Sequence, residues 1–122
     1  MDAILVLITT ASKKEAEEIG QALVTMRLAA CANIILGVDS IFFWKGAVSR
    51  EQETLILLKT QRTLFEPLAN AVKKMHSYSV PEIIALPIIE GSAEYLQWIK
   101  ENSAVHGTPA DGVTLRAATE IS

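Results

Sequence analysis

The sequence predicts an α+β fold in a single domain, and length, periodicity and the absence of a linker carry this prediction. At 122 residues the chain is long enough to bury one real core. Strand-like runs alternate with stretches of helical spacing in the order strand, helix, strand, strand, helix, strand, helix. This periodicity is lost over residues 104–122, where glycine, proline and threonine are interspersed. We therefore expect one domain over residues 1–103 and a flexible or loosely docked tail over residues 104–122.

The chain opens with a strand and a helix. Ala3 to Thr9 is a continuous aliphatic run, typical of a central strand that is covered on both faces. Ser12 and Glu15 then form a capping box, in which each side chain satisfies a free N–H group at the helix start. Apolar residues recur at helical spacing after this box, so we expect an amphipathic helix that ends near Leu28.

A long hairpin follows the first helix. Asn33 to Trp44 reads as an extended chain, which places Ile34 and Val38 on the same face. Gly46 supplies a positive φ for the turn, and Val48 to Thr60 forms the returning strand. Both arms exceed the usual length of about five or six residues, so the outer end should project beyond a small sheet. Another chain is then needed to cover the aromatic residues Phe42, Phe43 and Trp44.

A second helix and a last strand complete the predicted sheet. Thr63 and Glu66 form another capping box, and the helix that they begin should end at His76, shortly before a proline. Glu82 to Ile89 is an aliphatic strand in which Pro87 marks an edge position or the strand's end.

A short third helix, Ala93 to Asn102, is capped by Ser92. The order βαββαβ predicts a four-stranded antiparallel sheet with two helices on one face. This is the ferredoxin-like plait, here with a long hairpin between its second and third strands and a short C-terminal helix.

Composition and charge restrict the partners. Hydrophobic residues make up 50% of the chain, more than a small monomer can bury, so we expect an oligomer. The longest apolar run, Ala3 to Ile8, is far shorter than the roughly 20 residues that span a bilayer, and no membrane partner is expected. Asp2 precedes this run in place of basic residues, which is unlike a secretory signal and favours the cytoplasm. Lysine and arginine are scattered over a chain of net charge −3, which argues against nucleic acid.

Candidate ligand-binding residues surround Pro81, where His76, Tyr78 and Glu82 bring an imidazole, a phenol and a carboxylate into one short segment. A metal site would recruit His76 together with Cys31, since these ligands suit copper or zinc. Two alternatives stay open: His76 only donates to a carbonyl at the helix C-terminus, and Cys31 is a small buried hydrophobe. No third group orients a Cys31–His76 nucleophile and base pair, so we expect no enzyme.

The hairpin offers two further candidates. Lys59 follows the apolar run Leu55 to Leu58, where its charge is better placed beside a carboxylate such as Glu82 or Glu90. Trp44 has a ring that can stack on a ligand, and interface packing is the alternative use. The sequence has no glycine-rich phosphate loop, so a nucleotide would need a cleft between subunits.

Several motifs, taken together in order and spacing, point to one family. They are Arg27-Leu-Ala-Ala-Cys31-Ala-Asn33-Ile, Trp44-Lys-Gly46, Lys59-Thr60, His76-Ser-Tyr78-Ser-Val-Pro81-Glu82-Ile, Ala85-Leu-Pro87-Ile and Tyr95-Leu-Gln-Trp98. Over about residues 3–103 the chain resembles the CutA divalent-cation-tolerance proteins. The resemblance implies a stable cytoplasmic homotrimer of ferredoxin-like subunits, similar to PII-type signalling proteins, in which long hairpins extend each other's sheets.

The resemblance also implies a set of copper ligands, and this chain carries part of it. The family's first-strand cysteine corresponds to Ile8, and its two adjacent histidines correspond to Met75 and His76, so only His76 carries over. Ser77 and Ser79 depart from the family's usual His-Pro-Tyr-Glu turn. The rigid proline and the glutamate carboxylate that the resemblance implies for this turn are therefore missing.

We expect a trimeric, non-enzymatic protein of divalent-metal tolerance that requires no cofactor and binds copper or another divalent cation weakly in an intersubunit cleft. The expected cleft residues are Trp44, Lys59, Tyr78 and Glu82, with His76 and Cys31 as the metal ligands. Two alternatives remain: a PII-like sensor that binds a small anionic metabolite or nucleotide through Lys59, and a trimeric scaffold that binds nothing.

Overall fold

The computed structural model describes residues 2–104 and shows the elements in the expected order. The strands are β1 (Ala3–Thr10), β2 (Cys31–Trp44), β3 (Ala47–Gln61) and β4 (Ile83–Pro87), and the helices are α1 (Lys13–Thr25), α2 (Phe65–Met75) and α3 (Ala93–Glu101). The strands form one sheet in the order β2-β3-β1-β4, and each neighbouring pair is antiparallel. The α+β prediction is confirmed. Of the predicted tail, residues 105–122 lie outside the described residues.

The core lies between one face of the sheet and the helices α1 and α2. Side chains alternate along a strand, so β1 and β3 direct their even-numbered residues towards these helices. Val6, Ile8, Ile56 and Leu58 are fully buried on this face. The helical residues of the same cluster are Ala16, Ile19 and Leu23 of α1 and Leu68 and Val72 of α2. Each large aliphatic side chain buried here contributes about 1.5–3 kcal/mol, which fixes both helices on this side of the sheet.

The opposite face of the sheet is covered only in part. Helix α3 and the residues after it reach this face through Gln61, whose Nε2 donates to the carbonyl of Lys100 at 3.3 Å and to that of Ser103 at 2.6 Å. The strand residues of this face, Leu5, Leu7, Leu55 and Leu57, are half-buried. Towards the β4 edge, Ile84 and Leu86 are 50% and 51% exposed. An apolar strip of this face therefore stays in contact with solvent in the single chain.

A β-bulge in β2 changes which residues share a face. Ile35 pairs with Leu55 and Val38 pairs with Glu53, so β2 carries one more residue than β3 between these two pairs. Gly37, within the bulge, has φ 73°, a value that suits glycine. The predicted placement of Ile34 and Val38 on one face is wrong, because the extra residue reverses the alternation beyond the bulge.

The outer part of the hairpin projects beyond the sheet. β1 pairs with β3 only over Thr54–Gln61, so residues 47–53 continue for about 20 Å with β2 as their sole neighbouring strand. Lys45 and Gly46 form a two-residue turn with φ 50° and 80°. Phe43 and Trp44 beside the turn are 72% and 59% exposed. The hairpin therefore carries aromatic surface well away from the core.

Helix α2 begins without the predicted cap. The chain leaves β3 directly into a 3-10 turn, Arg62–Leu64, and Leu64 precedes α2 with no side-chain capping bond. The predicted capping box of Thr63 and Glu66 is wrong, because Thr63 lies inside this turn rather than before the helix. The predicted end is confirmed, since α2 ends at Met75 and His76 has an extended backbone.

The C-termini of α1 and α3 meet at Arg27. Helix α1 ends slightly before the predicted Leu28, and Arg27 follows it with φ 63°, a left-handed conformation that is uncommon for arginine. The N–H of Leu28 donates to the carbonyl of Leu23 at 2.9 Å, which closes the helix end. The Arg27 Nη2 atom donates to the carbonyl of Glu101 at 3.1 Å, at the end of α3. One residue thus ties two helix ends together.

Strand β4 is shorter than predicted and ends at Pro87, on the edge of the sheet. Both expectations for this proline are confirmed. No helix of the described part of the chain is long and apolar enough to cross a membrane.

Candidate functional site

His76 is buried where α2 gives way to the following turn. Its side chain has no exposure to solvent. Nε2 lies 2.8 Å from the carbonyl oxygen of Thr9, and since a carbonyl only accepts, Nε2 carries the proton. Nδ1 accepts a hydrogen bond from the N–H of Tyr78 at 3.0 Å. Both ring nitrogens have partners within the chain, and the carbonyl that His76 reaches belongs to β1 rather than to the end of α2.

Glu15 holds the turn after His76 from the side of α1. Its carboxylate accepts from the N–H of Ser77 at 2.7 Å and from the Ser77 hydroxyl at 3.1 Å. It also accepts from the N–H of Ala11 at 3.3 Å and lies 3.5 Å from Nδ1 of His76. Partial burial alone would raise the pKa of Glu15, but the hydrogen bonds from Ser77 and Ala11 lower it below its ordinary value. Ser77 therefore supplies two donors to one carboxylate.

Tyr78 links the same turn to the hairpin. Its hydroxyl donates to a carboxylate oxygen of Glu53 on β3 at 2.7 Å. Its ring centroid lies 4.7 Å from that of His76. Partial burial and the hydrogen bond to Glu53 raise the pKa of Tyr78 well above its usual range. The phenol is therefore a neutral donor at physiological pH, and it fixes the turn to the start of the projecting hairpin.

Lys59 and Cys31 face each other across β3 and β2 on the partly covered face of the sheet. Nζ of Lys59 donates to Oδ1 of Asn33 at 2.8 Å and lies 5.7 Å from the ring centroid of Tyr95 in α3. The Cys31 thiol also contacts Oδ1 of Asn33, at 3.7 Å. Over residues 2–104, Lys59 forms no ion pair with Glu82 or Glu90, the partners expected from the sequence.

His76 and Cys31 lie apart within the protomer. His76 contacts Thr9, whereas Cys31 pairs with Lys59, which pairs in turn with Leu5. Thr9 and Leu5 are separated by about 13 Å along β1, and β2 is a further two strands across. Within the described residues, no group of three or more His, Cys, Asp or Glu side chains is placed to hold a metal ion.

The remaining predicted residues lie at two other places. Trp44 is at the tip of the hairpin, where Nζ of Lys45 lies 5.8 Å from its ring centroid. Glu82 is exposed just before β4. Within one subunit the candidates therefore lie at four places: Tyr78 with His76, Lys59 with Cys31, Trp44 at the hairpin tip, and Glu82 before β4.

Sequence reasoning missed four residues that complete these groups: Glu15, Glu53, Asn33 and Tyr95. Asn33 and Tyr95 stand inside the motif segments that revealed the resemblance, so a signal for them was present. Glu15 was read only as a helix cap, and Glu53 carries no local signal, because its contact with Tyr78 spans 25 residues of chain.

Fold and site together define a class of protein. It is a small antiparallel α+β domain with a projecting hairpin and a His-Ser-Tyr turn that is held against the first helix and buries its histidine. The family model of the CutA1 divalent ion tolerance protein matches residues 4–102. The chain belongs to this family.

Individual relatives agree with the assignment. The divalent-cation tolerance protein CutA of Thermus thermophilus is 52% identical over 81% of this chain and 96% of its own length. Protein CutA, chloroplastic, of Arabidopsis thaliana is 40% identical over 83% of this chain and 56% of its own length. The solved structure of the divalent cation tolerance protein (Cut A1) from Thermus thermophilus has a TM-score of 0.82 at 50% identity, covering 84% of this chain and 99% of that one. The chain thus spans little more than half of the plant relative.

Proposed function

We propose that the chain is a non-enzymatic, cytoplasmic homotrimer that serves divalent-cation tolerance and binds copper weakly in a cleft between subunits. Membership of the CutA1 family supports the tolerance role, since the family model and the Thermus relative carry that description. The proposal requires no resident cofactor, and copper is the ligand that the protein responds to.

The apolar surface of the outer hairpin is the observation that carries the proposal. Five large hydrophobic side chains there are between 38% and 72% exposed: Ile41, Phe42, Phe43, Trp44 and Val48. They lie on both faces of a hairpin whose strand β2 is at the edge of the sheet, with free backbone hydrogen-bonding groups. Such an edge favours pairing with another chain, and a contiguous apolar patch of this kind supports an interface.

In the proposed trimer the hairpin of one subunit covers the apolar strip of the next. Ile84 and Leu86, half exposed at the β4 edge, offer a matching surface. Both surfaces would then leave water together, which favours association. The cleft at this junction is where we place Trp44, Lys59, Tyr78 and Glu82 from neighbouring subunits.

Cys31 is the better copper ligand of the two candidates. Its thiol is half-exposed, whereas both nitrogens of His76 already have partners in the chain. A thiolate suits copper(I). The ammonium group of Lys59, on the opposing position of β3, disfavours a second positive charge nearby, so binding is expected to be weak.

Native mass spectrometry of the full chain, with and without copper, tests this function. Two variants assign the ligand: Cys31→Ser removes the thiol, and His76→Gln removes Nδ1 while keeping a donor for the carbonyl of Thr9. We expect a trimer that gains copper, and we expect Cys31→Ser to lose it. A monomer would contradict the assembly, and a trimer that takes up no copper would contradict the metal role.

A further inference from the structure

Lys59 and Asn33 form a cluster of hydrogen-bond donors on the partly covered face of the sheet. We propose that this cluster binds a small oxyanion, either a phosphate or a carboxylate. The inference rests on the proposed function in one respect, because a neighbouring subunit has to cover this face. It names an anion, rather than a metal cation, as the ligand that the charges of this face favour.

The orientation of the Asn33 amide follows from its partners. An ammonium group has only donors, so the atom of Asn33 that lies 2.8 Å from Nζ of Lys59 must be the carbonyl oxygen. The Cys31 thiol contacts this same oxygen at 3.7 Å. Lysine and cysteine therefore fix the amide from one side. The NH2 group of Asn33 faces the other way, on an exposed residue, with two donors available to a ligand.

The ammonium group of Lys59 lacks a counter-charge in the chain from residue 2 to 104. Its contacts are a neutral amide and the ring of Tyr95. Neighbouring positions on the same face are apolar: Leu5 on β1 is paired with Lys59, and Leu57 lies two residues before Lys59 on β3. A subunit that covers this face would take the ammonium group out of water. A cation removed from water needs an anion beside it, and an oxyanion can accept from both Nζ and the amide NH2.

The two side chains around Cys31 give opposite preferences to the two candidate ligands. Lys59 attracts an anion and repels a metal ion, and the amide NH2 of Asn33 donates to an anion but cannot coordinate a metal. Removing these donors should therefore weaken the binding of the anion and strengthen the binding of copper to the same protein. A residue that only supports the fold would change both affinities in the same direction.

Isothermal titration calorimetry of the full chain, at constant ionic strength, measures this difference. The probes are inorganic phosphate, citrate and copper. Lys59→Met removes the charge at similar length. Asn33→Asp keeps an oxygen for Lys59 and replaces the amide donors with a negative charge. Lys74→Met is the matched control, since Lys74 is an exposed lysine on the far side of the core, in the last turn of α2.

We expect phosphate or citrate to bind the wild type and the Lys74→Met control alike, and to bind Lys59→Met and Asn33→Asp at least about tenfold more weakly. Copper should bind these two variants more tightly than the wild type. Binding of phosphate alone identifies a phosphate site, and binding of citrate alone identifies a carboxylate site. Either result supports the proposal.

Three results would overturn it. One is no heat with either anion up to about 10 mM. Another is equal anion affinity in Lys59→Met and the wild type. The third is a trimer that dissociates in Lys59→Met without binding any anion, because Lys59 would then pair with a carboxylate of the next subunit. Light scattering on the same samples reports the trimer separately, so a monomer that still binds anions through Lys59 would contradict the assembly and leave the donor cluster supported.

Discussion

Replacing His76 with alanine should destabilise the protein strongly, because the imidazole fills a buried site and satisfies two backbone groups. The carbonyl of Thr9 and the N–H of Tyr78 would both lose their partners. An unsatisfied buried group costs about 1–3 kcal/mol, and the cavity left by the ring adds about 1 kcal/mol or more. Water can reach the N–H of Tyr78 on its exposed turn and offset part of this cost. We expect His76→Ala to lower the free energy of unfolding by about 3–5 kcal/mol.

Guanidinium unfolding followed by tryptophan fluorescence measures this loss. Subunit concentration must be equal in all samples, because the stability of an oligomer depends on it. His76→Gln is the matched variant: it can still donate to the carbonyl of Thr9, so its loss should be about half that of alanine. If the free energy of unfolding of His76→Ala lies within about 0.5 kcal/mol of that of the wild type, the two hydrogen bonds do not stabilise the fold and the reasoning fails.

Three further predictions concern groups around the same framework. The pKa of Glu15 is lowered, so its carboxylate contributes stability above its ordinary pKa and loses it as pH falls through the lower value of the folded state; Glu15→Gln should flatten the acid limb of stability against pH, measured by denaturant unfolding. The pKa of Tyr78 is raised, so the contribution of this tyrosine to the stability of the fold is present below the ordinary tyrosine pKa. That contribution is lost as pH rises through the pKa of Tyr78 in the folded state. An ultraviolet titration should show this tyrosine ionising only as the protein unfolds, and Tyr78→Phe should abolish that late step. Arg27 has a left-handed backbone, which glycine adopts at less cost than alanine, so the free energy of unfolding of Arg27→Gly should exceed that of Arg27→Ala by about 1 kcal/mol, measured by thermal denaturation. Equal stabilities of the two variants would show that the φ of 63° carries no strain.

The elements of the fold could be predicted because their signals are local. Alternating and helical spacing located the four strands and three helices of residues 2–104, and the proline before the last strand marked the end of α2 at His76. The bulge in β2 could not be seen, since Leu36, Gly37 and Val38 fit an unbroken strand as well as a bulged one. The prediction of a cap at Thr63 failed for a related reason. The local pattern suits a helix start, but a 3-10 turn follows β3 directly and places Thr63 inside that turn.

The site was harder to predict because its contacts span the chain. Ser77 reaches Glu15 over 62 residues, and His76 reaches Thr9 over 67. Each of these residues has a sufficient local explanation, as a helix cap, a turn or a strand end. Sequence spacing identified the segments that meet, but only the packing of α1 against the sheet shows which atoms in them bond.

The bulge at Gly37 lets β2 carry one residue more than β3 without changing how the outer hairpin is presented. Beyond it, Val38, Ser40, Phe42 and Trp44 share one side of the outer hairpin, and Asp39, Ile41 and Phe43 share the other. Deleting the single residue Gly37 would pair Leu36 with Thr54 and restore plain alternation, and it would keep these two sides, because Val38 would still pair with Glu53. A one-residue gap at this point in an otherwise similar chain would therefore mark a strand without a bulge whose outer hairpin still offers the same side chains on each side.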